Sequence, residues 1–553
     1  MKKLKSNAGF TIILFMALLL MLTLAGINAV MTSTTDVNIA GNEMNQNNAL
    51  YAAEAGLELV TAKVELAYKT KGSPPNPLPS GRVTMSGGGE APMVINYSVE
   101  QLSSSALKTL HSGAYEGLYA YATEFEVSSE AGTANNHIKS DLRMLIESDL
   151  IPIYQFAVFY ESVLELSPGP QMNLGGRVHS NSDIYVQSGN SLQLYSHLTA
   201  AGNIFHGPYP DAGQSTNNGD VLITDQDGNL VSMYQSGAWV DANSGTWVES
   251  SLNLWDGRVE DGSHGITELN LPVVRSGDPI DMIKTASESP DSYENKASLR
   301  LIDGKAYKLE ADGSLTNITT NLSALGVISS NSFYDARENK TVKCTDIDIG
   351  ALNSSGYWPS NGIIYTTDKQ NPSGNNATRL VNGTTLSSGL TVCSRDPVYV
   401  HGDFNTVSKK PAAIMSDAMT ILSNGWVDGD GTLPITDPNR KAVQTTVNVS
   451  YMTGNVPSGA GQYSGGFDNL PRFLEDWSGI DFNWTGSAVD LWESEIAIGQ
   501  YSYGLYYKAP NRNWSFDTDL LDPANLPPGT PLISVVQRTG WREVVNYHTY
   551  TSE

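Results

Sequence analysis

The chain has 553 residues and a formal net charge of −25, yet only 16% of its residues are charged. An acidic balance of this size argues against nucleic-acid backbones and anionic membrane surfaces as partners, because both repel it. With 51 glycines and 40% hydrophobic residues the composition fits folded, β-rich extracellular protein rather than disorder, and the length calls for two to four domains.

Lys2, Lys3 and Lys5 precede Gly9-Phe10-Thr11, and no further charged side chain occurs until Asp36. From Phe10 to Met31 only Thr11, Thr23, Gly26 and Asn28 interrupt an apolar run. Such a run spans a bilayer as a helix, which takes roughly 20 residues, with the lysines held on the cytoplasmic side. A cleaved secretory signal is one reading, but the run is too long and Ile27-Asn28-Ala29 is a poor cleavage site. A plain membrane anchor is a second.

A third reading also accounts for the helical pattern beyond the apolar run. No proline occurs before Pro74, and Leu50, Ala53, Leu57, Val60 and Val64 recur at helical spacing. A helix from Phe10 to about residue 70 would be on the order of 90 Å long, too long to bury in one domain. Its apolar half suits a membrane first and packing against copies of itself second. Ser73-Pro74-Pro75-Asn76-Pro77 ends it.

Ala8-Gly9-Phe10-Thr11-Ile12 resembles a prepilin peptidase site cut between Gly9 and Phe10. Ala40-Gly41-Asn42, together with Ala49 to Glu58 (Ala-Leu-Tyr-Ala-Ala-Glu-Ala-Gly-Leu-Glu), is similar to the amino-terminal region of PilX-type minor pilins. The resemblance covers residues 1 to about 64. It implies removal of a leader (1–9), methylation of Phe10, a transmembrane pilin helix (10–70), and partnership with prepilin peptidase, the inner membrane and other pilins or pseudopilins. Major pilins carry a glutamate at the fifth mature position, where this chain has Leu14. K-type pseudopilins and PilX-type pilins often lack that acid too. A buried carboxylate needs a partner, so its absence fits a minor, tip-located subunit.

Beyond the helix the pattern turns to strands. Met93 to Val99, Leu118 to Val127 and His137 to Ile146 predict a small antiparallel sheet, the pilin-like head, over about 71–150. Residues 173–185 and 193–205 then align at a shift of 20, with Leu174 over Leu194, Val178 over Leu198 and Ile184 over Ile204. Short strands at that period predict stacked coils of a parallel β-solenoid over 151–460, against the alternative of a β-sandwich. Asp303-Gly304 and Asp312-Gly313 mark hairpins in a stretch, about 285–345, that reads as an insertion leaving and rejoining the stack. The aromatic-rich end, 461–553, with Trp477, Trp484, Trp492, Trp514 and Trp541, reads as a cap closing the last coil, or alternatively as a sugar-binding platform. Residues 471–477 are expected to form a short helix. The fold class is α+β, mainly β.

Cys344 and Cys393 are a candidate disulfide closing a loop of about 50 residues, a bridge of roughly 3 to 4 kcal/mol; the alternative is two separate buried thiols. His179, His197 and His206 match no metal-ligand spacing. Asp225-Gln226-Asp227-Gly228 and Asp428-Gly429-Asp430-Gly431 begin like calcium loops, but Ser236 and Asn439 stand where the twelfth-position glutamate belongs, so Asp-Gly turns explain them better. No nucleophile-elbow or phosphate-loop motif occurs, and neither an enzyme, a cofactor nor a metal is expected.

The reading that results is a structural subunit of a type IV pilus or related pseudopilus, held in the inner membrane before assembly, with most of the chain extracytoplasmic. Its work would be assembly initiation, tip structure or surface adhesion, with a surface or glycan ligand and no nucleic acid as partner. The alternative is a membrane-anchored or secreted adhesin that never enters a fibre.

Overall fold

The computed structural model describes residues 8–86, 92–111, 113–133, 139–210, 212–271, 277–369 and 375–544. The leader residues 1–7 and the beginning of the strand expected from His137 lie outside them.

Helix α1, Ala8–Lys71, runs unbroken through both the apolar run and the amphipathic stretch. It ends where Gly72 adopts φ +59° and its amide caps the Tyr68 carbonyl at 3.0 Å. Its carboxyl half lies on a six-stranded antiparallel sheet. Five strands come first in chain order: β1 (Ser80–Met85), β2 (Met93–Gln101), β3 (Ala106–Thr109), β4 (Tyr119–Thr133) and β5 (Lys139–Pro152). The sixth is the C-terminal strand Leu532–Glu543, antiparallel to β5, with Leu532 opposite Pro152. The head therefore draws its edge strand from the stretch expected to be a cap. Everything from 153 to 531 is inserted into one antiparallel strand pair.

Ala49, Ala52, Ala53, Leu57, Val60, Val64 and Tyr68 pack on Ile95, Phe125, Val127, Leu142 and Ile146. Gly56 marks the closest approach: a Cβ there would fall 2.1 Å from Ser129 Oγ and 2.6 Å from Ile95 Cγ2.

The inserted domain is built on a 12-stranded sheet whose strand order departs from chain order. From one edge the parallel members are Val259–Glu260, Leu198–Ala200, Arg177–Ser180, β6 (Phe156–Tyr160), Ala488–Glu493, Ser450–Asn455, Ala412–Ser416, Leu390–Ser394, Ile363–Thr367 and Leu299–Ile302. Two antiparallel strands, Lys305–Leu309 and Leu315–Asn317, finish the far edge. The chain thus enters in the middle, at β6, and steps outward to Val259. It then crosses to the opposite end and steps back until Ala488–Glu493 pairs with β6.

Each run carries further parallel sheets beside the long one. Leu164–Leu166, Ile184–Val186 and Ile204–His206 pair in register, as do Met172–Leu174 and Ser191–Leu194. The three residue pairs aligned by the 20-residue shift are register partners: Leu174 with Leu194, Val178 with Leu198, and Ile184 with Ile204. The second run adds a six-stranded sheet from Ile328–Asp335 to Arg472–Phe473 and the stack Thr445–Asn448, Asp481–Gly486 and Asn511–Phe516. A large apolar core fills the interior beside a smaller cluster around Phe333 and Trp426, and buried strands such as Ile363–Thr367 and Leu390–Ser394 have no exposed position.

Three expectations are corrected. Residues 285–345 are not an excursion, because Leu299–Ile302 is itself a sheet member paired with Ile363–Thr367 and begins the second run. The stretch 461–553 does not cap an end: Ala488–Glu493 lies at mid-sheet, and Trp477, Trp484, Trp492 and Trp514 are buried in the core. The actual ends are covered by helix Trp247–Trp255, with both tryptophans buried, and by the antiparallel strands with helix Thr319–Ala324. Residues 471–477 hold the strand Arg472–Phe473, not a helix.

Two consequences are measurable. Gly56→Val should destabilise the head by about 1–3 kcal/mol, since the added methyl groups must displace Ser129 and Ile95; thermal denaturation of the full chain in detergent reads this. His179, fully buried, contacts Thr199 Oγ1 through Nδ1 at 2.9 Å and Asn181 Oδ1 through Nε2 at 3.1 Å. The Leu269 amide also donates to Asn181 Oδ1, so that oxygen is an acceptor and Nε2 carries a proton. Burial lowers its pKa to about 4. A depressed folded-state value means its contribution to stability is complete above the unfolded pKa near 6.5 and is lost as pH falls toward 4. Histidine hydrogen–deuterium exchange by mass spectrometry should place the His179 midpoint near 4; a midpoint near 6.5 would contradict this burial.

Candidate functional site: the uncovered apolar helix

The feature with the plainest functional consequence is the amino-terminal half of α1. From Phe10, 70% exposed, to Ile39, 50% exposed, every large apolar side chain stands open, and nothing else among the described residues covers them. Further along the same helix Ala52 and Ala53 are fully buried against the head. An uncovered apolar surface of this extent requires a nonaqueous neighbour. This is one helix long and apolar enough to cross a membrane.

Its polar groups are managed locally. The hydroxyls of Thr23, Thr34 and Thr35 donate to the carbonyls of Leu19, Val30 and Met31, at 2.7, 2.8 and 2.9 Å. Each therefore presents a methyl group outward while its proton stays inside the helix ladder. Gly9 and Phe10 stand in the first turn, and a Cβ at Gly9 would meet nothing within 4 Å. Leu14 is 58% exposed and presents an apolar side chain.

The helix is fixed to its head mainly by packing. Lys63 Nζ donates to Tyr97 Oη at 2.7 Å, and Arg538 pairs with Glu58 at 2.6 Å, both on the surface, where such contacts contribute little. The head is in turn joined to the inserted domain by a buried amide. Gln155 accepts from the Tyr119 backbone amide at 2.9 Å and donates to its carbonyl at 2.7 Å. Arg177, its pKa lowered to about 10 by burial, donates to the carbonyls of Ala114 and Glu116.

The other sequence candidates do not converge on a site. Cys344 and Cys393 are free, buried thiols, which corrects the disulfide expectation. Cys344 packs with Phe333, Tyr399 and Trp426, whereas Cys393 belongs to the main core with its Sγ 3.8 Å from the Met282 carbonyl, so the two occupy separate apolar clusters. Burial pushes both thiols up. His206 stacks on Trp239 with ring centroids 3.4 Å apart, and His197 is held neutral by burial and by Arg177 and Arg258. Asp225 accepts from the Asn229 amide at 2.8 Å in a turn, and Asp428 pairs with Arg379 at 2.5 Å. Among the described residues no group of three or more His, Cys, Asp or Glu side chains is arranged to hold a metal.

The sequence did not single out the buried ion pairs. Arg379 grips Asp346 with two bonds, 2.9 and 2.7 Å, and Arg472 meets Glu338 at 3.1 Å. Only the folded register brings these partners together, so no local pattern announces them.

No curated protein matches the chain. Among solved structures, the crystal structure of the competence-associated pilin ComZ from Thermus thermophilus aligns with 91% of this chain and 98% of its own, at 10% identity and a TM-score of 0.25. The family model "PilX N-terminal" matches residues 8–58, the segment that contains the exposed helix and its first contacts with the head. Over those residues the chain resembles PilX-type minor pilins, which are type IV pilus-related subunits.

Proposed function

We propose that this protein is a minor subunit of a type IV pilus or related pseudopilus, presenting a large β domain outside the cell. The observation that carries the reading is the continuity of α1: one uncovered apolar rod leads directly into a helix packed on a small antiparallel sheet. At about 1.5 Å per residue the rod is roughly 95 Å long. A bilayer accommodates only its first part. A bundle of similar helices would cover the remainder of the apolar face as well. On this reading prepilin peptidase cuts between Gly9 and Phe10, Phe10 is methylated, and the inner membrane holds the helix until assembly.

Leu14 bears on position in the fibre. Without a carboxylate there the subunit has no acid to pair with the amine of a neighbour, which suits a tip or an initiating complex more than the body of a filament. The inserted domain is read as a parallel β-solenoid in two runs, because strands of its first run pair in parallel at a 20-residue offset on several faces and the second run continues the parallel pairing. Such a domain at a tip would serve adhesion to a surface or glycan. A membrane-anchored adhesin that stays out of fibres is the competing reading.

Mass spectrometry of the mature protein separates the two. N-methylated Phe10 as the first residue is the expected result, and an intact Met1 in cells with active peptidase would overturn the assignment. The insertion offers a second test. Excising 153–531 and joining β5 to Leu532–Glu543 through a short turn should preserve the head, because Pro152 and Leu532 are already opposite each other. Cells carrying this variant should still assemble fibres and should lose attachment if the large domain is the adhesive part; unchanged attachment would assign adhesion elsewhere.

A further inference from the structure

Where the two runs of the inserted domain meet, they enclose a cavity of about 220 Å³. Tyr160 and Glu165 line it from the first run, and Asp490 and Trp492 from the second, so neither run forms it alone. Its rim includes Ser162 and Glu493, which are exposed.

Three polar atoms of this wall lack hydrogen-bond partners: Tyr160 Oη, Trp492 Nε1 and Glu165 Oε2. Their residues are 2%, 7% and 3% exposed. The other Glu165 oxygen, Oε1, accepts from Ser458 Oγ and, at 3.1 Å, from Ser464 Oγ, and the Tyr209 backbone also hydrogen-bonds the carboxyl group. A buried group left unsatisfied costs about 1–3 kcal/mol. Three around one small cavity are hard to account for by packing alone.

Their chemistry restricts an occupant. Trp492 Nε1–H only donates, Tyr160 Oη can donate, and Glu165 Oε2 accepts when ionised. A cation would serve Glu165 but leave the indole N–H unpaired. An anion would face Glu165 and Asp490. Burial raises both carboxyl pKa values. Hydroxyl groups donate and accept at once, and the volume admits one small ring.

We propose that this junction cavity binds one pyranose unit of a carbohydrate, with Tyr160, Glu165 and Trp492 as its hydrogen-bonding groups. The three atoms sit just behind the cavity wall, so binding requires a small movement of the Trp492 indole and should change its emission. The inference stands whether or not the protein enters a fibre.

The test uses the full chain in a non-glycosidic detergent, titrated with the methyl glycosides of glucose, galactose, mannose and N-acetylglucosamine. Calorimetry and tryptophan fluorescence are the readouts. Saturable binding of at least one glycoside is expected, with an emission change that disappears in Trp492→Phe. Affinity should fall about tenfold or more in Tyr160→Phe and in Glu165→Gln, with circular dichroism confirming that each variant is folded. Tyr160→Phe keeps the ring and the volume, so it remains informative if either other variant fails to fold. No saturable binding up to about 50 mM of any glycoside, unchanged affinity in folded variants, or binding of tetramethylammonium in place of the glycosides would each overturn the proposal.

Discussion

The pairing of β6 with Ala488–Glu493 is the constraint on which the inserted domain depends. In register, Val158 faces Ala488 and Tyr160 faces Asp490. Without this contact each run would end in an open parallel edge, a row of unpaired amides and carbonyls available to any passing strand. With it, the ten parallel strands form one continuous ladder. The outermost parallel strands are then followed by helix Trp247–Trp255 at one end and by the antiparallel strands Lys305–Leu309 and Leu315–Asn317 at the other.

This topology has a cost in chain. To go from Val259 to Leu299 the connector must pass along the stack, about 43 Å at a strand spacing near 4.8 Å. The described part of that connector is firmly held. Asn181 donates to the Leu269 carbonyl at 2.9 Å, Tyr365 donates to the Ile283 carbonyl at 2.9 Å, and Ile280, Met282 and Ile283 enter the core. Tyr293 in turn donates to the Gly529 carbonyl at 2.5 Å, tying the connector to the segment that returns to the head. The described residues of the connector therefore pack as part of the domain wall rather than as a loop over it.

Sequence periodicity revealed what is local. The apolar stripe from Leu50 to Val64 identified the buried face of α1, and the matched positions Leu174/Leu194 and Ile184/Ile204 gave a true register, because adjacent parallel strands repeat the same buried side chains. It could not reveal that Ala488–Glu493 pairs with a strand more than 300 residues earlier, since parallel pairing leaves no turn signature. The C-terminal strand was missed because its partner β5 lies on the other side of the whole insertion, with no hairpin turn between them. The aromatic residues around Trp484 and Trp514 looked like a terminal cap by their density, but such rings serve equally well in a buried core, where these two meet at 5.8 Å. The junction cavity was invisible because its wall combines residues from both runs.

The placement of entry and exit determines how force would travel. A domain strung after a head on one strand transmits tension through a single peptide linker. Here both connections leave from one end of the β5 pair with Leu532–Glu543, and the pair continues over eleven registered positions to Glu543 opposite Leu142. Load on the inserted domain is shared by the two strands, with many hydrogen bonds of the sheet resisting in parallel. From the sheet it passes to α1 through the packed stripe at Leu57, Val60 and Val64. Gln155, bonded in both directions to Tyr119, and Arg177, bonded to the Ala114–Glu116 loop, brace the same joint from the side. A double connection braced by buried polar contacts resists rotation as well as stretching. The rod, the sheet and the large domain are thereby coupled mechanically, as a subunit must be if its outer domain is to bear load delivered through its helix.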